Sequence, residues 1–293
     1  MDEPTMPLFG CAIRKQMFQS GARLIRRGRF EFLRLKSPGQ HFSEDAQAGL
    51  LQRFAEITNT IYRADTTHYW STRANYFKSI DDLWTVHLNG EFVGWAGVAW
   101  MRGRGRPILY VDTMNMRPRA LRSGAGGYTL GEMLVHEFIL MCFVRTWLPS
   151  PCAFRTQSPV VYRLAQAASR ASVFPCVDGT HRSEKRASSV AAEVARRLSP
   201  THEFDLNHSI IKGAYSRSLY ATGSPVLKAA DPAVASFWQD HLDHDSGDAV
   251  VIVVLPTRIE AAKALLRYFG AIWRERFATF ARPSLKRRTP EQR

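Results

Sequence analysis

Three glycines in four positions, Gly124, Gly126 and Gly127, stand between an apolar segment at residues 108–116 and a long apolar helix beginning near Thr129. An order of strand, glycine turn and helix suits an oxyanion. The first helical turn offers N–H groups with no intrahelical partner at the positive end of the macrodipole, and glycine lets a ligand come close to the backbone. The candidate phosphate-binding turn is therefore Arg122, Ser123, Gly124, Ala125, Gly126 and Gly127, with a glycine-capped flexible turn as the plain alternative. A second candidate is Asp112, the one carboxylate in the run Ile108-Leu109-Tyr110-Val111-Asp112-Thr113-Met114. Buried alone, its pKa rises toward the range of a useful base; facing solvent or paired with an arginine, it is structural. His87 and His136 are lesser candidates, each a single histidine on an apolar element.

Other chemistries fail on spacing. A dinucleotide fingerprint needs a glycine where Thr129 stands, and a P-loop needs Gly-Lys-Ser/Thr where Gly127-Tyr128-Thr129 stands. There is no Gly-x-Ser-x-Gly elbow for nucleophilic hydrolysis. His136-Glu137 lacks a second histidine at position 140, residues 243–248 lack the EF-hand order, and Cys11, Cys142, Cys152 and Cys176 form no Cys-x-x-Cys pair, so neither metal nor disulfide is expected.

The elements that position these residues follow from periodicity. Residues 30–36 alternate as a strand ending at Ser37-Pro38-Gly39. Ser43 caps a helix whose apolar face is Leu50, Leu51, Phe54, Ile57 and Ile61, and a shorter helix spans 69–80. Residues 83–88 and 91–100, joined by Asn89-Gly90, form a β-hairpin on a two-residue turn. Strand 108–116, the glycine turn and a helix to about Trp147 follow, then a short strand at 152–155 and a proline-started helix from 159 to Arg170. Beyond, the pattern predicts helix 183–198, strand 208–215, helix 232–242, buried strand 249–255 and helix 258–277.

At 293 residues, 45% hydrophobic and 23% charged, the chain has ample material for a core. No apolar run approaches the roughly 18 residues of a membrane span, and no secretory leader is evident, so a cytoplasmic protein is expected. The net charge is +14, with eight Lys and Arg against three acids in residues 1–40 and five against one in residues 281–293. Basic ends of this kind suit nucleic acid, an acidic carrier protein or plain solvation; without an accompanying RNP, zinc-finger or helix-turn-helix motif, nucleic acid is not the expected partner.

The ordered elements from residue 30 to 177, with Pro118, Gly124 and Gly126 in register, resemble the GNAT acyltransferase superfamily, whose acyl-CoA loop reads Arg/Gln-x-x-Gly-x-Gly/Ala. Here the Arg/Gln position is Leu121, with Arg122 beside it. The resemblance implies an α/β fold with a mixed, mostly antiparallel sheet flanked by helices. It implies a core at 30–180, a basic extension at 1–29, a C-terminal part at 181–280 that completes the sheet and a basic tail at 281–293. It implies acetyl-CoA or another acyl-CoA as donor, no metal, and transfer to a small-molecule or peptide amine. The strand at 108–116 would splay from its neighbour, with Met114 and Met116 holding the pantetheine arm, Gln157 and Ser158 touching the coenzyme where asparagine is common, and Tyr162 as general acid. A half-buried tyrosine capping a neighbour is the alternative for Tyr162. An acyl-carrier-protein donor, a non-catalytic acyl-CoA or carrier-protein binder and a nucleic-acid-binding protein are the rival readings.

Overall fold

The computed structural model describes residues 5–103, 105–121, 123–146, 150–168, 172–177, 184–221, 227 and 231–281. The chain opens with α1 (Thr5–Gln19) and β1 (Arg23–Arg27), then β2 (Phe30–Lys36) and the single turn α2 (Pro38–His41). The first 29 residues, read from sequence as an extension, thus supply a helix and the edge strand of the sheet. Ser43 caps α3 (Glu44–Tyr62) through its side chain, which accepts the Ala46 N–H at 3.3 Å. The helix expected over 69–80 is instead two short ones, α4 (Thr67–Ser71) and α5 (Tyr76–Ser79), with Arg73 in the turn between them.

β3 (Asp82–Leu88) and β4 (Glu91–Arg102) form the expected hairpin, and Asn89 and Gly90 have φ of 52° and 84°, as a type I′ turn requires. β5 (Pro107–Met116) pairs antiparallel with β4. After the turn α6 (Pro118–Leu121) come the two-residue strands β6 (Gly124–Ala125) and β7 (Tyr128–Thr129), then α7 (Leu130–Thr146), β8 (Cys152–Thr156), α8 (Pro159–Ala168) and β9 (Val173–Phe174). The remainder is α9 (Glu184–Leu198), β10 (Phe204–Asp205), β11 (Ile210–Ile211), α10 (Pro232–His241), β12 (Ala249–Val254) and α11 (Arg258–Ala281). The strand expected at 208–215 stops at Ile211 because Gly213 and Ser216, at φ of 62° and 64°, turn the chain back. Trp147, Arg170, Ser183 and the tail at 282–293 lie outside the described residues. Among those described, no helix is long and apolar enough to cross a membrane.

The main sheet runs β1-β2-β3-β4-β5-β8-β12-β11-β10, with β9 also on β12. Every pair is antiparallel except β5 with β8. One face packs on α7, burying Phe32, Trp84, Val86 and Val98 against Leu134 and Phe138. The other packs on α1 and α3 at one end, where Phe54 stacks on Trp95 with centroids 4.1 Å apart, and on α9 at the other.

His87, 0% exposed on β3, is part of this core, and Thr85 is its side-chain partner at 3.3 Å. Burial first, and then the nearby Arg14, push its pKa down from 6.5 to about 4 despite Glu31. Because the folded value lies below the unfolded one, the unfolded chain binds the extra proton between the two. Stability is therefore expected to fall as pH drops from about 6.5 to 4, by about 3 kcal/mol from this residue. Urea unfolding of the wild type and of His87→Phe across that window checks it: the variant should lose most of the slope.

Candidate functional site

The one parallel pair in the sheet is short. β5 and β8 are in register only at Leu109↔Cys152, Tyr110↔Ala153 and Val111↔Phe154. Beyond that point β5 continues to Met116 along β4, while β8 runs on to Thr156 along β12. The strands part, and one backbone edge of residues 112–116 has no strand beside it. The resulting cleft has a volume of about 60 Å³ and is walled by Asp112 to Asn115, Phe154 to Gln157 and Val161, under a lid of tyrosines. The resemblance implied the splay; the lid, made of Tyr62, Tyr69, Tyr215 and Tyr220, comes from chain segments far apart and had no local signal.

Asp112 lies in this wall, but as half of an ion pair. Arg73 from the turn between α4 and α5 grips both carboxylate oxygens, Nη2 donating to Oδ1 at 3.0 Å and Nη1 to Oδ2. The side chains are 16% and 12% exposed. Of the two readings of Asp112, base or arginine-paired carboxylate, the geometry matches the second: the carboxylate is gripped by a fork, not left alone in an apolar strand. Arg73 also stacks on Tyr69, its guanidinium carbon 4.2 Å from the ring centroid.

A second guanidinium, Arg155 of β8, sits 4.6 Å from the Tyr215 ring centroid, and the Tyr215 hydroxyl donates to the Arg155 carbonyl at 3.0 Å. Arg155 Nη1 donates to Ser199 at 3.4 Å, its Nε is buried with no partner, and no carboxylate pairs with it among the described residues. The cleft wall thus carries one cation, Arg155, and one anion, Asp112, which is paired with Arg73. The Tyr62 and Tyr220 rings touch at a tilt, centroids 4.4 Å apart, and the Tyr62 hydroxyl donates to Asn115 Oδ1. Burial pushes the Tyr62, Tyr69 and Tyr220 phenols above their ordinary range, so they stay neutral hydrogen-bond donors.

The glycine turn is not an open cradle. Gly126 and Gly127, at φ of 61° and 82°, are the two central residues of a hairpin in which Ala125 faces Tyr128 and Gly124 faces Thr129. Its donors are taken from within. Gly126 N–H donates to the Glu275 carboxylate of α11, Leu130 N–H to the Ser123 carbonyl at 2.9 Å and Thr129 N–H to Glu132 at 2.7 Å. Thr129 and Glu132 form a capping box, since Glu132 N–H reaches back to Thr129 Oγ1 at 3.4 Å. A methyl group on Gly126 would meet the Ala271 carbonyl carbon at 2.9 Å, so α11 fills the space above the turn. Two carboxylates and a helix backbone occupy the place expected for a diphosphate, and as folded these residues do not fit that part of coenzyme A. Arg122 lies outside the described residues.

The other expected contacts are also reassigned. The Tyr162 hydroxyl donates to the Pro175 carbonyl at 2.9 Å and accepts the Val177 N–H at 3.3 Å, away from the cleft, which its neighbour Val161 lines instead. Its alternative, a buried tyrosine tying down a neighbouring segment, is the one that fits. Gln157 does line the cleft but braces two loops: its Nε2 donates to the Asp248 carbonyl at 3.0 Å and its Oε1 accepts the Leu219 N–H at 2.8 Å. Ser158 caps α8, accepting the Val160 N–H at 3.3 Å. Met114 is in the cleft wall, whereas Met116 is buried, 2% exposed, against Gly94. His136 is buried, with Nδ1 2.6 Å from the Glu132 carbonyl.

No family model and no curated protein sequence matches the chain. Among solved structures it is similar to Arabidopsis thaliana Naa50 in complex with the bisubstrate analogue CoA-Ac-MVNAL, at 13% identity over 70% of this chain and 91% of that one, with a TM-score of 0.29. It is similar to a probable GNAT-family acetyltransferase from Chromobacterium violaceum at 16% identity over 50% and 75%, with a TM-score of 0.30. It is also similar to an aminoglycoside acetyltransferase from an uncultured soil metagenomic sample at 13% identity over 40% and 73%, with a TM-score of 0.29. The sheet itself is mixed and mostly antiparallel, with one parted parallel pair.

Proposed function

We propose that the chain is an N-acyltransferase that moves an acyl group from a thioester to an amine in the cleft between β5 and β8. The parting of those strands beyond Val111 and Phe154 carries the reading, because it opens an unpaired backbone edge to an amide-bearing thioester arm. In the transfer, the neutral amine nitrogen adds to the thioester carbonyl, the C–S bond breaks, and the proton lost from the nitrogen is balanced by the one the departing thiolate takes up. The neutral phenols of Tyr69 and Tyr220 face this space and are the donors on hand for the carbonyl oxygen or the thiolate. The Arg155 guanidinium suits an acceptor that carries an anionic group.

Coenzyme A is the donor that the resemblance implies, but its diphosphate has no seat at the glycine turn as folded. The arm alone is therefore assigned to the cleft, and the donor is an acyl-CoA or a carrier-protein thioester recognised chiefly through that arm. Acyl-pantetheine, which lacks the diphosphate and nucleotide, is expected to be used with kcat/KM within about tenfold of the acyl-CoA, a difference of about 1.4 kcal/mol. A preference for acyl-CoA of a thousandfold or more would put the diphosphate back at the turn.

With the Asp112 carboxylate held by Arg73, an acceptor amine has to enter already neutral. The rate should climb with pH along the amine's own titration, near pH 8 for an α-amino group, with no limb at pH 5–7. A non-catalytic acyl-binding relative is the second reading, favoured by the same Arg73–Asp112 pair. It predicts calorimetric binding of acyl-pantetheine with no thiol release across a panel of amines.

A further inference from the structure

A second cavity among the described residues is roomier than the cleft. A groove of about 820 Å³ lies on the α7 face of the sheet, between β1, β2, β3, the Trp100 end of β4 and the C-terminal half of α7. Trp100 stands opposite Leu109, near the start of β5 and away from residues 112–116. The groove is unlike ordinary surface in three ways.

First, it sets like charges face to face. Arg23 of β1 is the direct cross-strand partner of Arg34 of β2, an arrangement that destabilises an antiparallel pair unless something neutralises it. Asp82 takes Arg34 at 2.7 Å and Glu137 takes Arg27 at 2.7 Å, while Asp81 accepts the Trp100 backbone N–H at 2.6 Å. All three acids lining the groove are therefore engaged elsewhere than on Arg23, Lys36 and Arg145. Those three have no carboxylate partner among the described residues; Arg145 lies instead over Trp100, its guanidinium carbon 4.4 Å from the ring centroid.

Second, the floor beneath these cations is apolar and aromatic, built from Ile25, Trp84, Trp100 and Met141. Third, Trp84 is 1% exposed yet its indole Nε1–H has no hydrogen-bond partner. Buried donors are normally satisfied; this one is enclosed, so an acceptor in the groove reaches it only with a shift of the Trp84 ring.

We propose that this groove binds a small organic anion, an oxyanion head on an apolar body. The carboxylate or phosphate head sits among Arg23, Lys36 and Arg145, and the body lies on Trp84 and Trp100. The volume is that of a small-molecule site rather than of a flat protein contact, and six cations line it against three acids. The assignment does not depend on the acyltransferase reading.

Isothermal calorimetry on the full chain, with decanoate and decyl phosphate below their micelle concentrations, tests it. Both are expected to bind at least about tenfold more tightly than inorganic phosphate, and decyltrimethylammonium not to bind. Arg23→Glu and Arg145→Glu, both at exposed side chains, should each weaken decyl phosphate by about tenfold or more while the circular dichroism spectrum stays unchanged and the melting temperature does not fall, Arg23→Glu if anything raising it by placing an acid opposite Arg34. Trp84→Phe keeps the ring and removes the N–H, and should weaken the same probe by several fold. Binding of inorganic phosphate as tight as that of decyl phosphate would reduce the groove to a cationic patch. Decyl phosphate binding untouched by both charge reversals would place the ligand elsewhere. Binding of poly-glutamate without either decyl probe would make the occupant an acidic peptide. Each of these results overturns the proposal.

Discussion

Arg73→Met is expected to lower the stability of the chain by about 3 kcal/mol and Asp112→Asn in the same chain to restore most of it. The loss comes from leaving the Asp112 carboxylate, 12% exposed, without the fork that neutralises it, and removing the negative charge as well cancels that cost. Urea unfolding of the two single variants and the double variant measures the coupling. If the double variant is no more stable than Arg73→Met, the loss belongs to the packing of Arg73 on Tyr69 and the ion pair contributes nothing. The same Asp112→Asn chain decides the chemical question. A general base is worth about a hundredfold or more in turnover, so a fall of only a few fold would agree with a carboxylate that positions Arg73 and the strand, whereas a larger fall would return Asp112 to the role its sequence context suggested.

Asp112 also marks where sequence reading stops. An isolated carboxylate in an apolar strand was correctly recognised as needing either a raised pKa or a partner, but the partner lies 39 positions earlier, in a helix break with no signature of its own. Elements with local rules were legible: the Asn89-Gly90 turn, the Ser43 cap, the Pro159 helix start and the buried run of β12 all stand where periodicity put them. The splay beside β5 was an expectation that only the resemblance supplied, and no local residue pattern marks it. The lid of the cleft was not legible either, since Tyr62, Tyr69, Tyr215 and Tyr220 meet only through tertiary packing. The strand within the first 29 residues had no clear signal, because on the face shared by residues 23, 25 and 27 only Ile25 is apolar, flanked by two arginines and set opposite Phe32. Gln157 was expected to touch the coenzyme and Tyr162 to act as general acid because the resemblance implies those roles, whereas their side-chain hydrogen bonds run to residues 175–177, 219 and 244–248, segments distant in sequence.

The glycine turn carries the other large effect. Gly126-Gly127 between Ala125 and Tyr128 is itself a type I′ hairpin signal, and the hairpin competes with the cradle for the same letters. The two glycines separate the conformational requirement from the packing one. Both have positive φ, but a side chain at Gly127 meets nothing within 4 Å, whereas one at Gly126 meets the Ala271 carbonyl carbon at 2.9 Å. Gly127→Val is therefore expected to cost only the left-handed strain of a β-branched residue, about 2 kcal/mol. Gly126→Val adds the overpacking against α11, for about 4–5 kcal/mol in all. Thermal or urea unfolding of the pair gives the difference directly. Equal losses would mean that α11 does not press on the turn, and the space for a diphosphate would then be open. Glu275→Gln, which keeps an acceptor for the Gly126 N–H and removes the charge, extends the test to function. With the helix still covering the turn, acyl-CoA affinity should stay as in the wild type, and a gain of tenfold or more would show that the carboxylate alone holds the diphosphate out.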